Sequence, residues 1–77
     1  MDAQNISEQA LVQRINRVLK KDMQVLKKTR GERTRMDVGD YYIIDYYRNI
    51  HLESFVDLQE LGRRLKVMET NERLHAQ

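Results

Sequence analysis

Four side chains of the kinds that move protons lie close together in the second half of this chain: Asp45, His51, Glu53 and Asp57. Carboxylates and imidazoles exchange protons with a substrate when a pocket holds them against it. His51 and Glu53 stand two apart in a stretch that reads as a strand, so alternation sets them side by side on one face. That face is predicted to be exposed, which makes the pair a solvated patch rather than the floor of an active site. A metal would need at least one ligand beyond His51 and Glu53, and the other histidine, His75, falls in the C-terminal tail. The chain has no Cys, which excludes thiolate ligands, thiol nucleophiles and disulfides. Gly31, Gly39 and Gly62 are isolated and form no phosphate-cradling loop. The expectation is a non-enzymatic protein with no cofactor and no metal.

Phosphate binding is the second chemistry to weigh. Arg14, Arg17, Lys21 and Lys28 fall within about 60° of one another if they share one helix. Lys27, Lys28, Arg30, Arg33 and Arg35 carry the charge onward into a connector, and together such a strip neutralises phosphates. A solvated helix face looks the same in sequence. Charge is unevenly placed: residues 1–35 hold nine Lys and Arg against four Asp and Glu, and residues 36–77 hold five against eight. The two halves can meet an anionic partner or each other.

Aromatic chemistry is confined to one stretch. All four tyrosines lie between positions 41 and 47, and the single Phe is at 55. A tyrosine ring is rigid and apolar with one polar tip, which suits both strands and interfaces.

Three kinds of element must position these groups. Ser7 is a predicted N-cap, with Ile6 and Leu11 at staple spacing. Leu11, Val12, Ile15, Val18, Leu19, Met23, Val25 and Leu26 then recur at helical spacing, so a long helix is expected from Ser7 to Lys28. Its apolar arc spans about 160°, wider than one docking surface needs, and Asp22 lies inside it. Arg33–Val38 reads as a short edge strand. Asp40–Ile44 and Ile50–Phe55 read as a hairpin, with Asp45 starting the turn through its side chain and Asn49 left-handed. Tyr46, Tyr47 and Arg48 then occupy the tip. Tyr41, Ile43, Ile50 and Leu52 are expected on the core face, with Tyr42, Ile44, His51, Glu53 and Phe55 opposite. Asp57 and Glu60 form a capping box, with Val56 and Leu61 as its staple. Leu58, Leu61, Leu65 and Met68 line the resulting helix, and Gly62 beside them permits a close approach. Residues 1–6 and 70–77 are expected to fray.

The expected fold is a single α+β domain: a long helix, two or three antiparallel strands and a C-terminal helix, with both helices on one sheet face. At 77 residues such a core supplies only about 3–5 kcal/mol. Without disulfides or a metal, self-association is the remaining support. The expected partner is therefore a protein, first of all a second copy of the chain. The expected interface comprises Leu11, Ile15, Val18, Asp22 and Val25 on the first helix, with Tyr46 and Tyr47 at the hairpin tip. Nucleic acid bound by the basic strip is the alternative. No apolar run is long enough to span a bilayer, and the N-terminus Met1-Asp2-Ala3-Gln4-Asn5 does not read as a signal peptide, so the cytoplasm is the expected compartment.

Three resemblances bear on function. Lys28 to Val67, with KTRGER, DVGDYYIIDYYRN and DLQELGRRL, is similar to short bacterial proteins with no assigned activity, which implies a bacterial cytosolic setting and transfers no site residue. The element order resembles the double-stranded RNA-binding domain. That domain reads phosphates from basic residues at the start of its last helix, where this chain has Asp57-Leu58-Gln59-Glu60. DLQELGRRLKV, Asp57 to Val67, looks like the first helix and turn of a helix-turn-helix, but Lys66 stands at the turn glycine and Glu72 at a buried apolar position.

Overall fold

The computed structural model describes residues 4–74. The expected fraying of residues 1–3 and 75–77, and His75 with them, lies outside the described residues. The chain runs β1 (Gln4–Ile6), α1 (Glu8–Leu19), a 3₁₀ turn (Lys20–Asp22), β2 (Gln24–Lys28), α2 (Glu32–Val38), β3 (Tyr41–Asp45), β4 (Ile50–Glu53), α3 (Leu58–Arg64) and β5 (Glu72–Leu74). It is an α+β fold with an antiparallel sheet in the order β2-β3-β4 and a small parallel sheet of β1 and β5. No helix among the described residues is long and apolar enough to cross a membrane.

The N-terminal helix starts as expected. Ser7 Oγ accepts the Ala10 amide, and Ile6 is buried ahead of the fully buried Leu11. It ends at Leu19, not Lys28, because Met23 turns left-handed (φ 61°) and residues 24–28 pair with β3 instead. Five consecutive residue pairs, from Gln24 opposite Asp45 to Lys28 opposite Tyr41, outweigh what continued helix would offer a Lys-rich segment. The wide apolar arc was therefore two elements read as one. Leu11, Ile15 and Leu19 are the narrow buried stripe of α1, and Leu26 belongs to the sheet. Asp22 is exposed and needs no buried partner.

Arg33–Val38 is not an edge strand but most of α2. Gly31 and Gly39 bracket it with positive φ, which breaks an extended chain at both ends. The helix is closed by bonds from the Arg35 amide to Gly31 O and from the Gly39 amide to Arg35 O.

The hairpin turn forms as the sequence predicts. The Tyr47 and Arg48 amides donate to Asp45 Oδ1, and Asn49 has φ 58°. The face assignment holds for β3 and fails for β4. Tyr41 and Ile43 are buried, whereas Ile50 and Leu52 are each 46% exposed. Ile44 pairs with His51 and Ile43 with Glu53, so a bulge leaves Leu52 without an opposite residue and breaks the alternation.

Asp57 Oδ1 caps α3 through the Glu60 amide. Gly62 lies so close to α1 that a Cβ there would come within 2.9 Å of Leu11 Cδ1 and of Met68. Lys66, with φ 61°, closes the helix: its amide reaches Arg63 O and the Val67 amide reaches Gly62 O. This is the Schellman geometry with lysine in the usual glycine place. The chain then enters β5, so no recognition helix follows and the helix-turn-helix reading is corrected.

Residues 72–74 and 4–6 do not fray where the sequence says they should. They pair in parallel, Gln4 opposite Glu72 and Ile6 opposite Leu74. Side-chain bonds hold this tail: Arg63 donates to Glu72 O, and the Leu74 amide donates to Gln59 Oε1. Arg14 Nη1 reaches both Val67 O and Glu72 Oε1 at 2.9–3.0 Å.

Candidate functional site

The antiparallel sheet has two edges, and the sequence treats them differently. On β2, Asn16 turns its amide toward the strand. Its Oδ1 accepts the Leu26 amide at 2.7 Å and its Nδ2 donates to Leu26 O at 3.3 Å. One side chain thus satisfies both groups of a buried strand residue, as a neighbouring strand would. The helix that carries Asn16 covers this edge.

Among the described residues, no side chain pairs with the β4 edge in this way. Ile50 and Leu52 project from it half-exposed, and Phe55 follows at 64% exposed. Tyr46 and Tyr47 stand at the adjoining tip, 51% and 75% exposed. Exposed edges are normally blunted with charge or proline. Here Arg64 reaches Glu53 at 3.2 Å, and His51 Nε2 lies 2.7 Å from Ser54 Oγ, but Ile50 and Leu52 are left as the edge's apolar side chains.

Phe55 is held under strain. Its φ is 53°, a region that bulky side chains avoid, and its amide donates to Val38 O at 2.6 Å. Gly39 makes room for it: a Cβ there would lie 2.7 Å from Phe55 Cα and 2.8 Å from Cδ1. Met23, Asn49 and Lys66 share the left-handed region, but each sits in a turn or helix end where that conformation is routine. Phe55 alone combines it with an exposed aromatic ring.

The sequence-predicted candidates scatter. Leu11 and Ile15 have no exposure at all, so a twofold pairing of first helices lacks its central contacts. Val18 and Val25 are half-buried on separate elements. Arg14, Arg17, Lys21 and Lys28 do not form one helical strip: the last two lie in the 3₁₀ turn and in β2. Arg14 is committed to Glu72, and Arg35 pairs with Asp40 at 3.0 Å. The hydrogen bond from Arg14, followed by that from the Glu69 amide, lowers the Glu72 pKa and outweighs its burial. The same bond raises the pKa of Arg14. Burial, then a hydrogen bond to Glu8, raises that of Tyr41.

The proton-moving set has structural employment. Asp45 holds the turn, Asp57 caps α3 and Glu53 pairs with Arg64. No group of three or more His, Cys, Asp or Glu able to hold a metal occurs among the described residues. The residues missed in sequence are Asn16 and the strained Phe55–Gly39 contact. Asn16 in mid-helix facing an apolar stripe was the legible signal. Nothing local marks Phe55 as left-handed. No family model matches the chain, and no curated protein or solved structure matches it either.

Proposed function

We propose that this chain is a small, non-enzymatic protein-binding module that works by strand addition at the β4 edge, and that its partner is a second copy of itself. The supporting observation is the asymmetry of the sheet: β2 is closed by Asn16, and β4 carries Ile50 and Leu52 in the open, with the strained Phe55 two residues past its end. An added strand takes the free backbone groups of the edge, while the apolar side chains give the contact its energy.

One open edge in the antiparallel sheet favours a closed pair through that sheet. Two β4 edges meeting antiparallel about a twofold axis consume each other, and the closed β2 edges end the assembly there. A four-residue strand is short, so Phe55 and Tyr47 must contribute for the interface to approach the roughly 1,000 Å² of a stable contact, whereas Tyr46 lies toward β2, its amide on Met23 O. Pairing would also supplement a core that is small for an independent domain.

The test is the mass of the protein by light scattering across a dilution series, with Leu52→Lys and Phe55→Ser alongside. The parent should reach twice the monomer mass, and both variants should stay monomeric and folded, melting where the parent melts once diluted to monomer. Dimers of equal strength in all three proteins would move the interface elsewhere.

A further inference from the structure

A second surface begins at α2 and β2 and runs across the sheet face to His51 of β4. Between α2 and the sheet lies an open recess of about 690 Å³, lined by Lys27, Lys28, Thr29, Arg30, Thr34 and Tyr42. Three of these side chains are cationic, three carry hydroxyls, and none is a carboxylate. The acids nearest in sequence, Glu32, Asp37 and Asp40, do not line it, and Asp40 is occupied with Arg35. Lys27, Lys28 and Arg30 have no ion-pair partner among the described residues.

The recess has a defined frame. The buried Thr29 donates its hydroxyl to Gly39 O and its amide to Asp40 O, which pinches the neck of the 30–38 excursion against the sheet. Tyr42 forms a wall directly opposite Lys27 in the strand register. Its ring stacks on His51, with centroids 5.7 Å apart and planes 15° from parallel. The same face carries Val25 and Ile44, half-buried and paired with each other. The opposite face carries Leu26, Tyr41 and Ile43, which are buried with Leu11, Ile15 and Leu19 of α1.

We infer that this recess and the adjoining sheet face bind single-stranded nucleic acid. Phosphates are neutralised by Lys27 and Arg30, and a base is received on the Tyr42–His51 aromatic surface; Lys28, opposite Tyr41 in the register, reaches the recess only from its rim. Cations beside an aromatic sheet face are what a single strand requires, because its bases are free to turn onto a ring. A duplex keeps its bases stacked inward and would use the cations alone.

The experiment is fluorescence anisotropy with a labelled oligouridylate of about 20 nucleotides and a blunt duplex of equal length, across a salt series. Two neutralised phosphates predict a log–log salt slope of about −1.4 for the single strand. Lys27→Glu with Arg30→Glu should weaken binding by at least about tenfold, and the milder Lys27→Gln with Arg30→Gln should weaken it with the fold retained. Tyr42→Leu should weaken the single strand and not the duplex. Arg17→Glu with Lys21→Glu makes the same change in net charge away from the recess and should leave binding near the parent value. The inference is overturned by no binding to the single strand at low salt, by an equal loss in the Arg17/Lys21 variant, or by duplex binding as tight as single-strand binding.

Discussion

The two edges of the antiparallel sheet differ in one polar side chain and its consequences. At β2, Asn16 supplies both halves of a strand partner, and Leu26 behind it is buried. At β4, the corresponding work is left undone, and two aliphatic side chains stand half-exposed. A fold that closes one edge with a dedicated residue shows that closure is attainable on this scaffold. The open edge is then the side on which a partner has something to add.

Breaking the closed edge should have the largest effect. Asn16→Leu strands the Leu26 amide and carbonyl together, at a cost of roughly 1–3 kcal/mol for each unsatisfied group. It should also turn one open edge into two, so the survivors should grow beyond dimers in light scattering. A stable Asn16→Leu dimer would mean that α1 shields β2 without the amide.

Next comes Gly39. Gly39→Ala forces a Cβ into the backbone of Phe55 at a positive φ, and should cost about 1–3 kcal/mol in chemical denaturation. Phe55→Asn sharpens the comparison in the opposite direction. Asparagine tolerates the left-handed region, so stability should rise by about 0.5–1 kcal/mol while self-association weakens. A variant that is both less stable and equally associated would assign Phe55 to packing.

The smallest effect concerns the end of the chain remote from either edge. Glu72 has its pKa lowered by Arg14, so its contribution is present above the ordinary glutamate range and is lost as pH falls through its own lower value. Glu72→Gln should flatten the acid limb of the stability profile below about pH 4.3 and leave dimerisation untouched.

What the sequence revealed is what local chemistry decides. Ser7 and Asp57 cap their helices because a side-chain oxygen three residues ahead of an amide has little else to do, and Asp45 with Asn49 writes the turn for the same reason. Gly62 was legible as a close approach beside an apolar stripe. The failures are all tertiary. Residues 24–28 carry helical spacing, yet five pairings with β3 make them a strand. The bulge at Leu52 turns a predicted core residue outward. β5 is polar and held by Arg14, Arg63 and Gln59, partners that no local pattern announces. The basic strip was an artefact of the overlong helix: once the chain turns at Met23, Lys28 joins Lys27 and Arg30 around a recess while Arg14 goes to Glu72.

The most direct measurement is amide hydrogen exchange, as a function of protein concentration, at those residues of β4 (Ile50–Glu53) whose amides face away from β3. Amides of an unpaired edge exchange quickly, and an added strand protects them. Strand addition at β4 predicts that protection there rises with concentration in step with the dimer mass, while the Leu26 amide, already bonded to Asn16, stays constant. Fast exchange at β4 in a sample that is fully dimeric would contradict it.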